Sequence, residues 1–330
     1  MRLHFLFPLV FLLGGCASAT HDELHALLKG FESQGFSGTV LVARGDRIVL
    51  HEGYGLADRE RGIRNGKDTL YEVASLNKTF TAAAILQLQA RGALKTSDPL
   101  SKHLGSFPPE KSAATIHHLA LHTAGLVPEG HDLGSGENRD EFIEAVKRVP
   151  RESAPGENYR YTNAGYSVLA AIIEKVSGMP YETYVREQLA NQAGLRDVYF
   201  RGETLPRPMA LGYKGDPPQV STPPPYRWGT RGAGGMITTV ADLYRWHRFL
   251  HRNGEMKEMF VERPNEGYAW HVERDEKGRR FIHKGGGMQE YATQIVYYPD
   301  DRLVVIWATN NLQRRWRQEL NRAIAAAVLD

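Results

Sequence analysis

Two β-rich runs, residues 39–43 and 47–51, flank Gly45-Asp46. A Gly-Asp pair between such runs predicts a β-hairpin near the start of the folded chain. At Ser75 the pattern changes. Residues 75–91 are helix formers with Phe80, Ala83, Ala84, Ile85 and Leu88 apolar, and Gly92 follows as a stop signal. They predict a buried helix. Helical patterns continue over 116–122, 139–149, 164–176 and 181–190, and strand signals are scarce between 94 and 198. Residues 203–230 hold seven prolines, which predicts a long irregular connection at the rim of a site. After a helix over 241–250, strands are expected at 268–273, 279–283, 293–298 and 303–309, with turns at Lys277-Gly278 and Pro299-Asp300-Asp301, and a closing helix over 314–328. Strands thus sit at both ends of the chain and helices in the middle. That order implies an α/β chain of the α+β type: an antiparallel sheet formed from both chain ends, flanked by helices, with an inserted, mainly helical lobe.

With 330 residues, 42% hydrophobic and 24% charged, the chain can bury a full globular core. The 41 Lys and Arg barely exceed the 38 Asp and Glu and form no basic stripe, so nucleic acid is excluded as a partner. The first residues are different in kind. Arg2 precedes an apolar run over 5–13 that is too short to span a bilayer and reads as an export signal. The run ends Leu13-Gly14-Gly15-Cys16, which resembles the bacterial lipobox, and Cys16 is the single cysteine. The expectation is a signal peptide over 1–15, lipidation of Cys16, a tether over 16–29 and a folded domain over 30–327. Within that domain the sheet lobe would take about 30–93 and 231–327, and the helical lobe about 94–230. Because Ala17, not Asp, follows the cysteine, an outer-membrane anchor in the cell envelope is favoured. Cleavage after Ala17-Ser18-Ala19, giving a soluble exported protein, is the alternative.

Three short segments carry chemistry. Ser75-Leu76-Asn77-Lys78 opens a helix, and a spacing of three puts the amine on the face of the hydroxyl, while the helix N-terminus favours negative charge there. Tyr161-Thr162-Asn163 supplies a phenol that can relay a proton and an amide that can orient a lysine and bind a carbonyl. His283-Lys284-Gly285-Gly286-Gly287 ends an expected strand, where glycines let a substrate backbone lie against the edge and an amide can complete an oxyanion hole. Other clusters carry less. His21 and His25 lack the inner Glu of a zinc helix and are read as solvated, and His117, His118 and His122 have no carboxylate to complete a metal set, so no metal is assigned. No G-x-S-x-G elbow is present.

In that order, S-x-x-K, Y-x-N and [KH]-x-G resemble the serine β-lactamase and penicillin-binding-protein superfamily, most closely its class C branch with esterase and D-aminopeptidase relatives. Residues 121–126 and 234–239 are similar to further segments of that branch. The resemblance implies Ser75 as the acylated nucleophile, Lys78 and Tyr161 as its bases, Asn163 as a ligand of the substrate carbonyl, and His283 as the first residue of the strand motif with Gly285 as its glycine. It also implies an oxyanion hole from the amides of Ser75 and Gly286, a scaffold role for His122 and no cofactor. Lys284 then stands where a hydroxyl would grip a substrate carboxylate, so esters or small D-amino-acid amides are the first choice of substrate, with Tyr226 and Trp228 on the rim for an apolar group. A β-lactamase or D-alanyl-D-alanine carboxypeptidase is the alternative, and a non-catalytic envelope binding protein using the same cleft the second.

Overall fold

The computed structural model describes residues 19–126, 138–215, 218–288, 290–311 and 315–330. The signal peptide and Cys16 therefore lie outside the described residues.

The first element corrects an expectation. In place of a tether reaching residue 29, helix α1 runs over His21–Ser33, with Thr20 accepting from the Glu23 amide and Glu23 reaching back to the Thr20 amide. This reciprocal cap fixes the start, and Leu24, Leu28 and Phe31 at helical spacing bury one face. Nor are His21 and His25 simply solvated: His21 Nε2 and His25 Nδ1 lie 3.1 and 2.6 Å from the two oxygens of Glu52.

The sheet is built from both chain ends, as the order of patterns implied. Strands β1 (Gly38–Arg44), β2 (Arg47–Tyr54), β3 (His271–Arg274), β4 (Arg280–Gly287), β5 (Ala292–Tyr298) and β6 (Leu303–Thr309) form one sheet in the order β3-β4-β5-β6-β1-β2. Every pairing in it is antiparallel, with β1 and β6 joining the two ends of the chain from Gly38↔Thr309 to Arg44↔Leu303. Alternation of side chains splits the central strands between two cores. Leu41, Ile295 and Ile306 face the larger core under the helices, whereas Val40, Val42, Val305 and Trp307 face Leu24, Leu28, Trp316 and Leu320. The latter belong to α1 and to the closing helix Arg315–Leu329. Both faces of the sheet are covered, which is why β6 is buried at every position.

Helix α2 (Lys78–Ala90) runs through the larger core, and Lys78 through Leu88 are all buried. A tight turn, Ala74–Asn77, precedes it, so Ser75 sits on a 3₁₀ turn at the mouth of the helix and not within its first α turn. Helix α3 (Asn163–Ser177) packs on α2, with Thr162 accepting from the Ala164 amide at its start and Gly178 in the left-handed conformation at its end. The stretch expected as one helix over 181–190 is an α turn (Tyr181–Tyr184) continued by a π stretch (Val185–Ala190). A small second sheet joins Tyr71–Glu72, Met236–Thr238 and Tyr199–Phe200, and holds the chain three residues before Ser75.

Candidate active site

Ser75 is presented by a strained turn. Ala74 takes φ +47°, a conformation that costs an L-residue about 1–2 kcal/mol, and the amide of Leu76 closes on Val73 O at 3.1 Å. One helical turn on, the ammonium of Lys78 is buried and held by three neutral oxygens: Ser75 Oγ at 3.2 Å, Asn163 Oδ1 at 2.7 Å and Ala233 O at 3.2 Å. Burial pushes the Lys78 ammonium below its ordinary pKa, and the nearby Lys284 adds to that. The ring of Tyr161 lies 4.8 Å from Lys78 Nζ and is 36% exposed toward the cleft. Burial alone would raise its phenol. The charges of Lys78 and Lys284, with hydrogen bonds to Lys78 and Ser75, outweigh it and hold the phenol below its usual value. The serine, the lysine, the phenol and the Asn163 amide are thus brought into one cluster.

His122 serves the backbone behind this cluster. Its Nδ1 accepts from the Thr162 amide at 3.2 Å, its carbonyl accepts from Arg160, and its ring lies 4.5 Å from that of Tyr161. Burial, with Lys284 and Lys78 close by, drives its pKa down to about 3 against the pull of Glu266, so the ring is neutral.

The third segment is shifted by one residue from the sequence reading. His283 does not reach the serine. It faces the other side of β4, stacked between His271 and Phe281 at 5.0 and 5.2 Å and 3.3 Å from Glu273. Lys284 turns inward, is 2% exposed, and lies 5.5 Å from the Tyr161 ring. The period of two accounts for this: Lys284 and Gly286 share the face toward Ser75, and His283 and Gly285 share the other. A Cβ at Gly286 would stand 2.0 Å from Val73 O, so only glycine lets the strand lie this close to the nucleophile turn. The strand motif is therefore Lys284-Gly285-Gly286, with Gly285 where a hydroxyl residue was considered.

The oxyanion donor moves with it. Met288 donates to Tyr291 O, which makes 288↔291 a hydrogen-bonded pair of the β4–β5 register. Alternation then turns the amide of Gly286 toward β5 and those of Gly285 and Gly287 toward the edge that β3 leaves open beyond His283. The amide of Gly286, the expected donor, is thus turned away from the cleft, and Gly287 presents its amide at the open edge of the cleft that Ser75 lines. Gly285 and Gly287 line a cleft of about 1060 Å³ that also contains Ser75, Tyr161, Glu266 and Lys284 and that extends beyond them to His283 and Phe281 on the other face of β4.

Two rim residues are corrected as well. Trp228 is buried against Phe142, and Tyr226 is tied through its hydroxyl to Glu182 at 3.0 Å, so neither lines the cleft. The residue that the sequence reading missed is Glu266. It is buried, forms a close ion pair with Lys284, and accepts from Tyr159 Oη at 3.3 Å. His122 Nε2 and His271 Nε2 stand 3.8 and 3.6 Å from it. Burial opposes its ionisation, but Lys284 and His122 prevail and lower its pKa to about 2. Nothing in Pro264-Asn265-Glu266-Gly267 marks it, because its partner lies on a strand 18 residues away.

A serine on a tight turn at the mouth of a buried helix, a lysine one turn on and an open glycine strand edge thus meet at one cleft of a fold of mixed helix and antiparallel sheet. The β-lactamase family model matches residues 24–329, and the chain belongs to that family. It is 37% identical over 235 residues to PbpX of Bacillus subtilis (strain 168), whose name marks it as a candidate penicillin-binding protein. That match covers 70% of this chain and 59% of PbpX, so the chain spans about three fifths of that relative. It is 28% identical to penicillin-binding protein 4* of the same organism, over 84% of this chain and 69% of that protein. A class C β-lactamase from Rhodobacter sphaeroides shares the fold with a TM-score of 0.81, at 18% identity, over 93% of this chain and 99% of that one.

Proposed function

We propose that this protein is a serine hydrolase that works through an acyl-enzyme on Ser75 and cleaves esters or small D-amino-acid amides in the cell envelope. The observation that carries the reading is the 3.2 Å approach of Lys78 Nζ to Ser75 Oγ beside a phenol held between two cations. The Lys78–Tyr161 unit takes the hydroxyl proton as Oγ bonds to the substrate carbonyl carbon. The oxyanion is received by the amides of Ser75 and Gly287, and the Asn163 amide binds the carbonyl on the acyl side. Collapse breaks the bond to the leaving group, which departs with the proton returned through Tyr161. Water, deprotonated by the same unit, then releases the acid and restores Ser75.

The choice of substrate rests on charge. Gly285 offers no hydroxyl and Lys284 is already matched by Glu266, which leaves that cation without excess charge for a substrate carboxylate. The names of PbpX and penicillin-binding protein 4* favour a second reading, a D-alanyl-D-alanine carboxypeptidase or β-lactamase. A panel of p-nitrophenyl esters, D-amino-acid anilides and a chromogenic cephalosporin separates the two. Faster turnover of uncharged esters supports the first reading, and a higher kcat/KM for the cephalosporin replaces it with the second. We propose, too, that the protein is exported and held at the outer membrane through Cys16. Cys16→Ser should move it from the detergent-extracted to the soluble fraction, and unchanged retention would contradict the anchor.

A further inference from the structure

We propose that Glu266 is the specificity-determining residue of this cleft, a buried counter-charge that cancels Lys284 and turns away substrates carrying a carboxylate beside the scissile bond. The inference rests on the acyl-enzyme reading of Ser75 and goes beyond it by assigning the substrate's charge to one side chain.

Three observations carry it. First, Lys284 on the inward face of β4 puts a cation beside the Tyr161 ring, where an incoming carboxylate would seek a partner. Its close partner is instead an internal carboxylate, and neither side chain is more than 2% exposed. Second, Glu266 lies buried behind Lys284 at the cleft, so a substrate carboxylate approaching Lys284 finds a pair whose charges cancel in place of an unmatched cation, and is desolvated without a partner. Third, the loop is built to hold the carboxylate there. The Gly267 amide closes a turn on Trp270 O at 2.8 Å, Ala269 takes φ +65°, and Tyr159 Oη donates to the Glu266 oxygen that Lys284 does not take. A left-handed alanine is an unfavourable conformation that surrounding contacts must enforce.

The matched probe is an aryl ester, with and without a meta carboxylate on the leaving group, each rate normalised to its hydroxide-catalysed hydrolysis. The wild type should favour the uncharged ester in kcat/KM by about tenfold or more. Glu266→Gln, which keeps the shape and removes the charge, should move that ratio at least about tenfold toward the carboxylated ester, mainly through KM, and Glu266→Asp should retain the wild-type ratio. Equal rates in the wild type, or an unchanged ratio in a Gln variant that still turns over the uncharged ester, would overturn the inference. Should the Gln variant not fold, the wild-type ratio still decides between these outcomes, and Glu266→Ser, with room for water beside Lys284, is the second variant. Failure of the Ser75 reading looks different: the uncharged ester is not hydrolysed, or its hydrolysis survives Ser75→Ala.

Discussion

Two buried lysines approach the Tyr161 ring, Lys78 from α2 at 4.8 Å and Lys284 from β4 at 5.5 Å, and they are solvated in opposite ways. Lys78 is held by three neutral oxygens and, among the described residues, by no carboxylate, so burial lowers its pKa, which in the proposed mechanism prepares it to exchange a proton with Ser75. Lys284 is held by Glu266, and the pair contributes a fixed field instead of a mobile proton. Similar positions beside one phenol thus suit, in the proposed mechanism, a proton carrier in one case and a charge fixture in the other. The difference lies in what each amine touches.

Breaking the carrier should have the largest effect. Lys78→Met should lower kcat/KM by about three orders of magnitude or more, as removal of a member of a catalytic unit does. Lys78→Met with Tyr161→Phe should cost little more than the worse single change, and kinetics in which the two losses multiply would show separate roles. Breaking the fixture should be felt first in stability. Lys284→Met strands Glu266 as an unpaired buried charge, at a cost of about 3–5 kcal/mol in urea unfolding, and Glu266→Leu added to it should restore much of the loss.

The pH dependence separates them further. Glu266 titrates near 2 in the folded protein against 4.5 unfolded, so the stability it contributes is complete above about pH 4.5 and is lost as pH falls toward 2. Replacing both partners with Gln should flatten that part of the stability curve. In activity, the basic form of Tyr161 should define a limb below the ordinary phenol value, and Lys284→Met should shift it to higher pH by removing a cation that favours the phenolate. A limb unmoved by this change would mean that the Lys284 charge does not reach the phenol. The smallest effect is expected at His283. It lies on the opposite face of β4, and His283→Ala should leave kcat/KM within about threefold.

These contrasts explain what was readable beforehand. Ser75 and Lys78 are three residues apart on a helical turn, and Asn163 opens the helix that brings Tyr161 to them, so local spacing carried both motifs. The strand motif was different, because His283-Lys284-Gly285 and Lys284-Gly285-Gly286 both satisfy [KH]-x-G. Only the register against β5 decides which residue faces Ser75, and a slip of one residue reverses every face. The same slip displaced the expected oxyanion donor from Gly287 to Gly286. Glu266 was hidden for a further reason: its importance is entirely tertiary. The helix α1, by contrast, was legible and overlooked, since Thr20 and Glu23 form a capping box before Leu24, Leu27, Leu28 and Phe31. The overall sheet followed from the order of patterns alone, because strands at both chain ends around a helical middle leave few ways to close a core.

The central claim is that the oxygen of Ser75 becomes acylated, and covalent labelling tests it without presupposing the natural substrate. The protein is treated with an uncharged aryl fluorophosphonate, and intact mass and peptide mapping are read on the wild type and on Ser75→Ala. The account predicts one adduct per chain on the peptide containing Ser75, faster labelling in wild type than in Lys78→Met, and none in Ser75→Ala with its fold intact. A stoichiometric adduct on any other residue, or an adduct that persists in Ser75→Ala, would contradict it.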